Sequence, residues 1–165
     1  MKFSKLGAMI LCFAFLLVAC GKENNQKISA STEPKVDLSD YPTGVQNGDV
    51  SADYFDTLMG TITKHLKLPE DLKDNSSTDE KKELYRKYLL YLNGLNYKVS
   101  NDTEQEIDNY FSSFLFNAKH WAEYRIKHLD TNSDLDHSVA NNYFTDAKND
   151  LLMTMEVMEK YNLDD

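Results

Sequence analysis

Between residues 103 and 129 the apolar side chains recur at intervals of three and four, and this pattern constrains the fold more than anything else in the chain. Ile107, Tyr110, Phe111, Phe114, Ala118, Trp121, Ala122, Ile126 and Leu129 form one broad stripe. A helix with such a stripe has one face that must be covered by other helices. Three further segments have the same period. Ser51 can cap a helix running to about Lys67, with Phe55, Leu58, Met59, Ile62 and Leu66 on one side and Pro69 as its stop. Ser77 and Glu80 form a capping-box pair for a second helix, reaching to about Tyr97 with Leu84, Tyr88, Leu92 and Leu95 inward. After a short polar break at 130–133, a last helix from Asp134 to about Tyr161 presents Ala140, Phe144, Ala147, Leu151, Met155 and Met158. No segment alternates as a strand would. The expected fold is all-α, an antiparallel four-helix bundle with two shorter helices followed by a long helical hairpin.

The first fifty residues follow different rules. Lys2 and Lys5 give a basic start, and Leu6 to Val18 then carries no charge. A basic n-region before an apolar h-region is the pattern of a secretory signal. The run is thirteen residues, short of the roughly 20 that a membrane span needs. It ends in Leu17-Val18-Ala19-Cys20. This tetrapeptide resembles the lipobox of bacterial lipoproteins. The resemblance implies a leader at 1–19, cleavage before Cys20, diacylglycerol on the Cys20 sulfur and an acyl group on the new amino terminus. Two such anchoring signals hold a protein stably at a bilayer. It places the chain on the outer face of a cell membrane of Gram-positive type. Residues 21–50 are polar and punctuated by Pro34, Pro42, Gly44 and Gly48, and read as a tether with an r.m.s. reach of roughly 30 Å. The bundle domain is then expected over 51–165.

The resemblance also narrows the chemistry. Cys12 lies in the h-region and Cys20 takes the lipid, and there is no third cysteine. The mature domain then has no thiol nucleophile, no disulfide and no thiolate metal ligand. The chain carries 18 Lys and Arg against 27 Asp and Glu, a net of −9. Loss of Lys2 and Lys5 with the leader would deepen that to −11. So acidic a domain repels nucleic acid and anionic lipid headgroups, which excludes nucleic-acid binding and leaves lipid as the anchor.

Four patterns are candidates for chemistry. Asp130, Asn132, Asp134 and Asp136 have the alternate-oxygen spacing of a calcium loop. Leu135 stands where such a loop needs glycine, and Asn141 where it needs a bidentate glutamate. A turn with Ser133 as N-cap accounts for the same residues. Met153, Met155 and Met158 offer soft thioethers, but Met153 and Met155 diverge on a helix, while Met155 and Met158 belong to the core stripe. His65, His120, His128 and His137 are scattered. None has the i, i+4 spacing of a helical metal site, and solvated or capping roles are expected. Tyr85, Tyr88 and Tyr91 cluster on the second helix and are the candidate partner-contacting residues. No G-x-S-x-G and no G-x-x-x-x-G-K-[ST] occurs.

The expected function is that of a non-enzymatic, membrane-anchored surface lipoprotein that binds a protein or peptide. One concrete form is an immunity or exclusion lipoprotein, although no residue selects it. The alternative is a carrier of a small ligand or metal ion inside the bundle. No cofactor is expected beyond the covalent lipid.

Overall fold

The computed structural model describes residues 37–72 and 75–164, with the side chains of 69–71 excepted. Cys20, the expected leader and the expected tether as far as residue 36 lie outside the described residues. A short helix, α1 (Thr43–Gln46), precedes four long ones: α2 (Ala52–Asp71), α3 (Thr78–Gly94), α4 (Asp102–Thr131) and α5 (Asp134–Lys160). The expected all-α bundle is what forms. Among the described residues no helix is long and apolar enough to cross a membrane.

Local sequence sets most helix ends. Ser51 caps α2 by accepting the Tyr54 N–H. Ser77 and Glu80 close a full capping box on α3, each side chain taking the other's backbone N–H. Asn101 caps α4 at 2.8 Å from the Glu104 nitrogen. Asn132 ends that helix in the left-handed conformation, φ 53°, with its N–H on the His128 carbonyl at 2.7 Å. Ser133 then caps α5. At the far end of α5, the Asn162 N–H bonds the Glu159 carbonyl and the Leu163 N–H bonds that of Met158. With Asn162 at φ 51° this is a Schellman stop.

Two ends differ from expectation. Pro69 does not stop α2, which continues to Asp71. The proline removes one donor from a final turn in which Leu72 N–H still reaches the Leu68 carbonyl at 3.1 Å. α3 stops at Gly94, short of Tyr97. Tyr97 instead turns back on the core, its ring 5.6 Å from that of Phe111 and its hydroxyl 2.8 Å from Asp108. The poor helix formers Asn93 and Gly94 yield to that contact.

Polar contacts fix the bundle's directions. Along α4 and α5, Arg125 bonds Asn141, Ser113 and Asn117 both bond Asp150, and Glu106 pairs with Lys160. The partner numbers fall on one helix as they rise on the other, so the two are antiparallel. Thr61 with Tyr91 and His65 with Tyr88 show the same for α2 and α3, as do Lys82 with Asp130 and Tyr97 with Asp108 for the α3 side and α4. Leu58, Ile107, Phe111 and Phe114 are wholly buried at the centre. So are Ala118 and Ala122 on α4 and Ala140 and Ala147 on α5. Side chains this small let the two long axes approach closely.

Within 41–50, read from composition as part of the tether, several residues pack against the bundle. Val45 and Val50 are only 2% and 1% exposed. Tyr41 packs its ring on Phe55 and donates a hydrogen bond to Asp56 at 2.9 Å. The Gly44 N–H bonds the Asn162 carbonyl at 3.1 Å, tying this segment to the end of α5. The polar composition of 37–50 conceals two well-placed valines and a glycine that allows backbone contact.

That contact makes a matched test. A Cβ at Gly44 would lie 2.2 Å from the Tyr161 carbonyl oxygen, whereas one at Gly60 meets only the Tyr91 hydroxyl, at 3.6 Å. Gly44→Ala is expected to cost about 2 kcal/mol or more. Gly60→Ala, in a helix interior, is expected to gain about 0.5–1 kcal/mol. Urea denaturation of the two variants checks both signs.

Candidate functional site

The tyrosines expected to meet a partner lie largely inside. Tyr85 is 7% and Tyr88 2% exposed, so both are corrected from contact residues to core residues. Tyr85 stands edge-on to Trp121, 5.5 Å between ring centroids. Tyr91 is half-buried, with its hydroxyl 3.1 Å from Thr61 and the Lys64 ammonium 4.4 Å above its ring. Their helix places them against α2 and α4, so large aromatic area is buried within the bundle.

Histidine 65 is also internal, contrary to the solvated or capping role expected of it. It is 5% exposed and surrounded by Tyr88, Phe114 and Trp121, with ring centroids 4.9 to 5.8 Å away. Its Nδ1 is 2.6 Å from the Tyr88 hydroxyl. Burial alone lowers its pKa from 6.5 to about 4, because a low-dielectric site disfavours the imidazolium. No hydropathy scale marks such a histidine. The only clue in the sequence was its place three residues beyond Ile62 on the inner face.

The carboxylates of Asp130 and Asp136 in the loop at 130–136 are held by different lysines. Asp130 bonds Lys82 at 2.8 Å. Asp136 is buried and accepts from Lys127 at 2.8 Å and from Thr131 at 3.1 Å; the Lys127 contact is the largest cause holding its carboxyl below the usual range. Asn132 and Ser133 serve as stop and cap, the helix–helix turn described above. Among the described residues, no three His, Cys, Asp or Glu side chains converge as metal ligands would.

The methionines separate. Met158 is buried at 4%, but Met155, expected in the core, is 47% exposed, and Phe144 is 36% exposed. Thr154 and Val157 take the inward positions instead. From Leu151 onward both the i+3 and the i+4 steps are geometrically available, and the inward face follows i+3.

Met155 faces a groove between α2 and α5. The groove encloses about 350 Å³ and is lined by Met59 and Ile62 from α2, Leu152, Met155 and Met158 from α5, and Leu163 beyond it. Glu156, Glu159 and Asp164 complete the lining, with no lysine or arginine among them. Leu152 is 49% exposed. The floor is therefore apolar and thioether-rich, and the rim is acidic.

A second concavity, about 300 Å³, lies where α2 and α4 end and α3 and α5 begin. Leu72, Tyr85 and Leu129 give it apolar walls, and Lys81, Arg125, His128 and His137 line the rest. His128 and His137, nine positions apart, are brought together across the turn with centroids 4.9 Å apart. Spacing along one helix could not have revealed that pair. Comparison with known protein families, with curated proteins and with solved structures finds no match to this chain.

The buried histidine gives a pH signature. Its pKa is lower folded than unfolded, so between about 6.5 and 4 the unfolded chain takes up a proton that the folded chain refuses. Stability contributed by neutral His65 is complete above pH 6.5 and declines as pH falls toward 4, by on the order of 3 kcal/mol in full. Denaturation of the native chain across that window should show the decline. His65→Gln should show a flatter profile over the same window.

Proposed function

We propose that this chain is a lipid-anchored, extracytoplasmic binding protein without catalytic activity, and that it takes a basic amphipathic helix of a partner into the groove between α2 and α5. The anchoring part rests on Leu17-Val18-Ala19-Cys20 at the end of an uncharged run behind Lys2 and Lys5. The polar composition of 21–36 supports a tether between lipid and domain.

The observation that carries the binding reading is the groove itself. Met59, Met155 and Met158 line it with flexible, polarizable side chains, which adapt to varied apolar partners. A helix that lays its apolar face into such a groove holds its polar face near the rim. That rim is Glu156, Glu159 and Asp164, and the whole chain is net −9. The complementary partner is positively charged, drawn in by a field of one sign. Tyr85 and Tyr88 have no part in this reading, because they are buried.

Two measurements test it. Cys20→Ala should shift the folded domain from the membrane fraction to the soluble fraction; a variant retained in the membrane after cleavage of its leader overturns the anchor. For the groove, the probe is a synthetic helix with leucine on one face and lysine on the other. It should shift the Met59, Met155 and Met158 methyl resonances saturably. Met155→Glu should weaken it by about tenfold or more, whereas Leu135→Glu, at a site 73% exposed on the turn-proximal end of α5, should not. Equal binding of a scrambled peptide of the same composition would sink the proposal.

A further inference from the structure

We propose that the pocket at the α4–α5 turn binds a small carboxylate carried on an apolar body, at a site independent of the groove. The first observation is charge placement. In a chain of net −9, this one concavity is lined by Lys81, Arg125, His128 and His137, and no carboxylate is among its described lining residues. Asp130 and Asp136, on the neighbouring turn, are held by Lys82 and Lys127. Lys81 has no ion-pair partner among the described residues.

The second observation is a donor left without an acceptor. Arg125 gives Nη1–H to His137 at 3.0 Å and Nη2–H to Asn141 at 2.9 Å. Its Nε–H is buried and has no hydrogen-bond partner. A buried unpaired donor is costly, and more so on a charged group. With under 1 Å² of surface it is closed to solvent as it stands, so a ligand oxygen reaches it when the guanidinium turns toward the cavity.

Tautomers follow from the same contacts. Arginine can only donate, so the Nδ1 of His137 accepts and its Nε2 carries the hydrogen. The Nδ1 of His128 lies 3.0 Å from the Ser133 carbonyl oxygen, which only accepts, so that nitrogen donates. The lining thus supplies donors from Arg125, His137 and Lys81. Arg125 and Lys81 also repel a cation, so two adjacent imidazoles do not make this a metal site. The walls formed by Leu72, Tyr85 and Leu129 suit an apolar group. About 300 Å³ is at the small end of ligand pockets. A single oxyanion with a ring or short branched chain matches that volume and lining.

The test uses phenylacetate on the mature, ¹⁵N-labelled chain at pH 7, with phenylacetamide as the neutral isostere and inorganic phosphate as the bare anion. Phenylacetate should shift the Arg125 Nε–H and the His137 ring signals saturably, with a Kd of about 1 mM or tighter. Phenylacetamide and phosphate should each bind at least about tenfold more weakly. Lys81→Gln, which breaks no side-chain hydrogen bond or ion pair among the described residues, should weaken phenylacetate several-fold with an unchanged melting temperature. Arg125→Gln should abolish the shifts. The proposal is overturned if phenylacetate gives no saturable shift by about 10 mM, if the amide binds equally, if phosphate binds equally, or if Lys81→Gln leaves the affinity unchanged. A failure here leaves the groove untouched, because the two sites share no residue.

Discussion

The carboxylate of Glu104 holds together the parts of the chain that sequence order keeps apart. It is completely buried. One oxygen accepts the Ser51 N–H at 2.8 Å, at the cap of α2, and the other accepts the Ser100 N–H at 2.5 Å, in the link before α4. Its own backbone N–H is capped by Asn101. Three segments therefore meet on one side chain. A charge this deep is tolerable because two backbone donors face it and it lies in the first turn of α4, where the helix dipole is favourable to an anion. The start of α2 is set by this contact, and α2 forms one wall of the groove. The groove thus depends on a glutamate that lies outside its lining.

The end of α5 is the second fixed point. The Schellman stop at Asn162 turns Leu163 inward, to 1% exposure, and leaves the Asn162 carbonyl free for Gly44. Both chain segments then close over the same end of the bundle. Met158 and Leu163 are brought together there as part of the groove. The apolar recess is a consequence of how the helix stops, and its acidic rim comes from Glu156 and Glu159 near the end of α5 and Asp164 beyond it.

Much of the architecture was legible because it depends on local rules. The stripe of α4, the capping box at Ser77 and Glu80, and the turn at Asn132 and Ser133 each act within a few residues. What was hidden depends on contacts between distant positions. Val45 and Val50 are isolated apolar residues in a polar stretch, and only their burial in the folded domain shows that they belong to the core. Tyr85 and Tyr88 have side chains equally suited to a core edge and to an interface, and their neighbours on α2 and α4 decide. The departure of Met155 from the stripe has the same origin. Periodicity defines a face to within one residue's turn, and packing chooses the line along it.

The two concavities lie well apart on α5. His137 and Leu152 are fifteen residues apart, which is about 22 Å along a helix axis. They also oppose each other in charge, one rimmed by Glu156, Glu159 and Asp164, the other lined by Lys81 and Arg125. Between them α5 is held to α4 by Asp150, bonded to both Ser113 and Asn117, and by buried alanines on each helix. A basic helix and a small acid would each be selected by local charge, at opposite ends of the α4–α5 hairpin.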